Sequence, residues 1–74
     1  MRGRKRVTLD RRELQTLIGR ELKSDAQSDL ENLVSEYPAT KGWKEQLSRR
    51  EVQKYPDGKW YGKTVVYREV NDQL

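Results

Sequence analysis

The side chains in this sequence that could do chemistry are carboxylates, lysines, arginines, tyrosines and tryptophans. The chain holds 16 Lys and Arg, 12 Asp and Glu, four Tyr and two Trp, with no His and no Cys. The usual general base, the usual transition-metal ligands and the thiol nucleophile are therefore missing. The acids fall mostly at helical spacings that suit solvated faces. None forms an isolated pair in an apolar setting, the arrangement that shifts a pKa for catalysis. The expectation is a binding protein, not an enzyme, with no cofactor and no metal.

The placement of charge says more than its sum. The formal net charge is +4, and residues 1–6 carry Arg2, Arg4, Lys5 and Arg6 with no acid. The whole formal excess lies there, so the rest of the chain is neutral. That rest is uneven: residues 7–40 hold four bases and seven acids, and residues 41–68 hold eight bases and three acids. Polyanions respond to such local patches more than to an overall isoelectric point. A six-residue cationic arm can lie along phosphates or enter a minor groove. The competing reading is a solubilising tail.

Leu14, Leu17, Ile18 and Leu22 recur at helical spacing, which predicts an amphipathic helix over Asp10–Lys23, capped by Thr8 or Asp10. Ser24-Asp25-Ala26-Gln27 predicts a second start, and Ala26, Leu30, Leu33, Val34 and Tyr37 define its apolar face. Pro38 ends it. One continuous helix over 10–37 competes with the pair. Trp43–Arg50 reads as a third short helix, Trp43 and Leu47 being four apart, or as an early strand.

Tyr55-Pro56-Asp57-Gly58-Lys59 is the clearest local signal, a turn with proline, aspartate and glycine in the positions they favour. It predicts a β-hairpin in which Tyr55 faces Lys59, Val52 opposes Gly62 and Glu51 opposes Lys63 as an ion pair. Alternation then puts Val52, Trp60, Val66 and Val70 on a core face. Arg49, Tyr55, Lys59, Tyr61, Lys63, Val65 and Tyr67 go to a basic face with interleaved tyrosines.

Two resemblances bear on this order. Arg4-Lys5-Arg6-Val7-Thr8-Leu9, alternating and followed by two helices, is similar to the ribbon-helix-helix repressors, which pair this strand in a dimer and insert it into the major groove. That resemblance covers Arg4 to Tyr37 and implies that Arg4, Arg6 and Thr8 face bases while Val7 and Leu9 face the core. The order helix, helix, short helix, hairpin is similar to a winged helix. It implies a recognition helix at Trp43–Arg50, offering Lys41, Lys44, Arg49 and Arg50, with the Asp57-Gly58-Lys59 turn as wing.

The expected fold is therefore α+β: two N-terminal helices, a possible third short helix and a C-terminal antiparallel β-hairpin. The ribbon-helix-helix-like N-terminal half is the alternative. The expected organisation is a flexible basic arm over 1–6 and one small domain over 7–74. The expected function is nucleic-acid binding, DNA favoured over RNA, in a regulatory role such as transcriptional control. The contacts would come from Arg2, Arg4, Lys5, Arg6, Lys41, Lys44, Arg49, Arg50, Lys59, Tyr61 and Lys63. The alternative is a protein-interaction module or small inhibitor that docks on a larger protein through its acidic helices. Mean hydropathy is -1.17, and no apolar run approaches the roughly 20 residues of a membrane span. An intracellular, cytoplasmic protein is expected. With so little apolar content the core is thin, and a homodimer or bound partner would reinforce it.

Overall fold

The computed structural model describes residues 6–72, with side chains from residue 8 to residue 70. Five regular elements follow one another: β1 (Arg6–Gln15), α1 (Lys23–Ser35), β2 (Lys44–Glu45), β3 (Glu51–Lys54) and β4 (Trp60–Asp72). Short 3-10 turns occupy Ala39–Lys41 and Leu47–Arg49. One helix and a four-stranded antiparallel sheet replace the expected two N-terminal helices, short third helix and C-terminal hairpin. The winged-helix order and the ribbon-helix-helix alternative fall with it. Trp43–Arg50 is no recognition helix, since β2 and a 3-10 turn occupy it.

β4 is the reason. It runs for 13 residues, and Thr64, Val65, Val66, Tyr67 and Val70 favour a pleated backbone. Such a strand needs hydrogen-bonding partners on both sides. On one side β3 pairs with Trp60–Gly62 and Lys63, and β2 with Val66 and Tyr67. On the other, β1 pairs with it continuously from Arg6↔Asp72 to Gln15↔Lys63. Residues 10–15 are thus drawn out of the helix their spacing predicts, because long-range pairing outweighs a weak local preference. Leu14 satisfies both patterns and is buried, while Leu17, Ile18 and Leu22 are exposed. Leu9 does not face a core as the ribbon-helix-helix resemblance implied, being 62% exposed.

The hairpin turn closes as its sequence predicts. Tyr55 N–H donates to the Lys59 carbonyl at 2.9 Å, and Lys59 N–H donates to Asp57 Oδ1 at 2.9 Å. Val52 opposes Gly62, and Glu51 opposes Lys63 with their ion pair at 2.9 Å. The hairpin is not a separate C-terminal unit, however, because its second strand continues to Asp72 beside β1.

α1 lies across one face of the sheet. Its apolar face is the expected one: Ala26 and Leu30 are buried, and Leu33, Val34 and Tyr37 pack beside Leu14, Trp43 and Val66. It starts one residue before Ser24, on Leu22, which makes no side-chain cap. Contact with β4 depends on Gly62, where an added Cβ would stand 3.0 Å from Leu30 Cβ and 3.4 Å from the Ala26 carbonyl oxygen. Gly62→Ala should therefore cost about 1–3 kcal/mol by overpacking. Urea unfolding measures this, and an unchanged midpoint would show that α1 does not sit this close to β4.

Candidate nucleic-acid interface

The bases divide into those that already have acidic partners and those that do not. Arg50 is the most committed. Its Nε donates to Glu45 Oε2 at 2.6 Å and its Nη2 to Glu45 Oε1 at 2.7 Å. Arg50 Nη1 donates to Glu31 on α1. Thr64 Oγ1 donates to Glu45 Oε2 at 2.6 Å. This cluster ties β2, the start of β3, α1 and β4 together. Bidentate, half-buried and shared among elements, it holds the fold and is not free for phosphate.

Lys59 pairs with Glu21 at 3.3 Å, and Lys63 with Glu51 at 2.9 Å. The Tyr61 hydroxyl donates to Asp57 at 2.6 Å, and its ring lies 4.6 Å from that of Tyr55. That hydrogen bond lowers the Asp57 pKa and raises that of Tyr61. The tyrosine-lined face is therefore occupied by its own interactions, and Val65 on it is buried. Arg11 and Arg12 pair with Glu13 and Asp10, Arg20 with Asp29, and Arg68 with Asp10. The Arg12 and Arg68 guanidinium carbons also stand 5.8 and 4.6 Å from the centre of the Trp43 ring. Lys23 Nζ lies 5.7 Å from the half-buried Trp60 ring.

Lys23, which among the described residues has only that aromatic contact, also lacks an acidic partner, and Lys41, Lys44, Arg49 and Lys54 remain. All four are exposed, and none forms an ion pair among the described residues. Lys44, Arg49 and Lys54 follow the margin built by β2, the 47–49 turn and β3, with Lys44 and Lys54 on opposite faces of the sheet, and Lys41 ends the 3-10 turn before β2. Lys44 stands opposite Tyr67 and Lys54 opposite Trp60 on β4. At the rise of a strand those two positions are about 23 Å apart. The acids in the same segment, Glu45 and Glu51, are neutralised by Arg50 and Lys63.

Of the residues singled out from sequence, the structure brings Lys44 and Arg49 to this margin and Lys41 to the turn before it. Arg50 becomes structural, and Lys59, Tyr61 and Lys63 stay on the hairpin with partners of their own. Arg2, Arg4 and Lys5 lie outside the described residues. Arg6 opens β1, and its side chain lies outside them too. Lys54 was missed, although the hairpin register already placed it on β3 beyond the paired bases.

A second feature was also missed. Thr16 N–H donates to the Gly62 carbonyl and Arg20 N–H to that of Trp60, so Leu17, Ile18 and Gly19 stand opposite Tyr61 alone. This is a bulge in the β1 side of the sheet. Gly19 lets it lie flat, since a Cβ there would meet Lys59 Cβ and the Tyr61 hydroxyl at 2.7 Å. Leu17 and Ile18 are thrust outward, 92% and 66% exposed. With Leu14 and Leu33 they line a groove whose rim carries Glu13 and Asp29.

Among the described residues no His, Cys, Asp or Glu group converges as a metal site, and no helix is long and apolar enough to cross a membrane. Comparison with protein families, with curated proteins and with solved structures gave no match.

The charge cluster also sets a pH dependence. The Arg50 hydrogen bond, aided by Thr64 and opposed by desolvation, holds the Glu45 carboxyl below its ordinary pKa. Arg20 does the same for Asp29. A carboxylate lowered on folding contributes stability above its unfolded pKa, and that contribution is lost as pH falls through the lowered value. Stability should decline with acid from roughly pH 5 downward. Glu45→Gln should cost about 2 kcal/mol at neutral pH, because Arg50 and Thr64 lose a charged acceptor. It should also flatten that acid decline. Urea midpoints between acid and neutral pH read both effects, and an acid decline as steep as in the unsubstituted protein would remove Glu45 from the account.

Proposed function

We propose that the chain binds nucleic acid through the phosphate backbone, with duplex DNA as the preferred ligand and a regulatory role. The observation that carries this reading is the distribution of unpaired charge. Once internal ion pairs and the Lys23–Trp60 contact are set aside, Lys44, Arg49 and Lys54 follow one margin of the sheet, with Lys41 in the turn that leads into it. Arg2, Arg4, Lys5 and Arg6 add a concentrated positive segment that leads into β1. β1 and β4 form a two-stranded ribbon beyond the helix, and a ribbon of this kind is one of the elements a major groove admits. The contacts are to phosphates, so the binding tolerates sequence changes and weakens steeply with salt.

The salt slope separates unpaired bases from paired ones. Replacing Lys44, Arg49 and Lys54 together by Gln should reduce the slope of log K against log salt by about 2–3, because each phosphate contact contributes about 0.9. Replacing Lys59 and Lys63, which serve internal pairs, should change it by less than about 1. Removing residues 2–5 should weaken binding to all sequences alike. Titration with duplex DNA, single-stranded DNA and RNA at two salt concentrations measures these effects. Absence of binding to all three at low salt would overturn the proposal, and tighter binding to RNA would overturn the preference for DNA.

A second reading rests on the bulge. Leu17 and Ile18, exposed beside a groove whose rim acids Glu13 and Asp29 are already paired with Arg11 and Arg20, suit an apolar segment of a protein partner. In that reading the chain is an interaction module that uses the β1 side of the molecule and the Asp29–Leu33 stretch of α1.

A further inference from the structure

The outer side of β1 is an open sheet edge. β1 is the terminal strand of its sheet, and its ten residues pair with β4 without a break. Thr16 N–H donates to Gly62. The alternation of an antiparallel ladder therefore turns the main-chain groups of the even-numbered β1 residues toward β4. Those of Leu9, Arg11, Glu13 and Gln15 point away from the sheet. They form a row of outward donors and acceptors that is long and unbulged until Leu17. α1 packs mainly over β4, touching β3 and β1 less, and among the described residues no strand pairs with the outer side of β1.

The charges on the strand select its occupant. Asp10 and Arg12 share the helix-side face, and Arg11 and Glu13 share the opposite one. A second β1 laid antiparallel across a two-fold axis at Arg11 places Asp10 of each copy directly opposite Arg12 of the other. Arg11 faces its own counterpart, flanked diagonally by Glu13 of both copies. The two Asp10–Arg12 juxtapositions stabilise the ladder, the single Arg11–Arg11 one opposes it and is offset by Glu13 of each copy, and the pairing is isologous, so it closes at two chains.

The bulge at Leu17–Gly19 marks where the pairing must stop. The benefit falls where the monomer is thinnest. Two strands alone form the ribbon around Thr8 and Val70, Leu9 is 62% exposed there, and third and fourth strands make such a ribbon stable. We infer that β1 is a homodimerisation edge, joining two chains into one continuous antiparallel sheet through β1–β1 pairing centred on Arg11. The Lys44, Arg49 and Lys54 margin lies on the other side of the sheet and stays free in such a dimer, whereas the β1–β4 ribbon becomes part of a four-stranded sheet.

The test uses the full chain without nucleic acid. Sedimentation equilibrium should show the mass rising from one chain to two with concentration. Arg11→Pro removes an outward N–H that the β1–β4 ladder does not use, so the fold should survive by circular dichroism. The association constant should fall by about tenfold or more. Because the chain lacks cysteine, a single introduced thiol reports proximity. Hydrogen-bonded antiparallel partners have Cα atoms about 5.5 Å apart, within disulfide reach. Arg11→Cys should oxidise to a covalent dimer much faster than Gln53→Cys on β3. A single-chain mass at the highest concentration, or equal oxidation rates at the two positions, would overturn the inference, whatever the Arg11→Pro variant does.

Discussion

Everything in this fold depends on finding partners for β4. Its thirteen residues carry main-chain donors and acceptors on both sides, and where the strand is buried, around Thr64–Val66, these cannot be left unpaired. No single neighbour is long enough to serve both sides. β3 and β2 divide one side between them, and β1 takes most of the other. The tertiary consequences follow from that division. The chain between β2 and β3 must turn over β4, which it does at Leu47–Arg49, with Gln46 N–H donating to the Val65 carbonyl at 2.8 Å. The Glu45 cluster then fastens this patched side to α1. Its carboxylate accepts from Arg50 and Thr64 while Arg50 reaches Glu31, so one guanidinium links a two-residue strand to the helix above it.

The parts of this arrangement that were legible in the sequence are those written in local chemistry. The Pro-Asp-Gly turn fixed a register, and the register fixed which residues of β3 and β4 share a face. The apolar face of α1 was legible for the same reason, since Ala26, Leu30, Leu33 and Val34 lie within one helix and no distant strand competes for them. The failure over residues 10–22 has a physical cause. Leu14 is compatible with a helix and with a strand, and the other three apolar positions are set by what lies across the sheet. β1 and β4 are paired at separations of up to 66 residues (Arg6 with Asp72), and no local propensity carries that information.

The candidate interface was legible only in outline. Counting charge along the chain located the basic arm and the basic half. It could not show which bases would be neutralised, because the partners are far apart in sequence. Lys59 meets Glu21 and Arg50 meets Glu31 only after the sheet has formed. The one ion pair readable beforehand, Glu51 with Lys63, came from the hairpin register. Folding thus acts as a filter on the charge pattern. It removes the hairpin lysines and Arg50 from the available positive surface and leaves the margin bases, among them Lys54, which composition gave no reason to prefer.

The two long sides of the sheet end up chemically unlike each other, and the bulge helps to explain why. On the β2–β3 side short strands and turns expose side chains, so bases there face solvent without strand partners. On the β1 side an uninterrupted ladder exposes main chain, and its side chains neutralise one another in Asp10–Arg12 and Arg11–Glu13 pairs. A side with no net charge in its central four residues does not repel a second copy of itself. Had those residues been lysines, the edge would be closed to self-pairing by repulsion, the usual protection of an exposed strand. At Leu17 the main-chain row ends and apolar side chains replace it, so recognition on this side changes from backbone pairing to hydrophobic contact within a few residues. The two proposed surfaces therefore differ in kind, side-chain charge along the β2–β3 margin and main-chain groups along β1, and they meet only where the basic segment leads into β1.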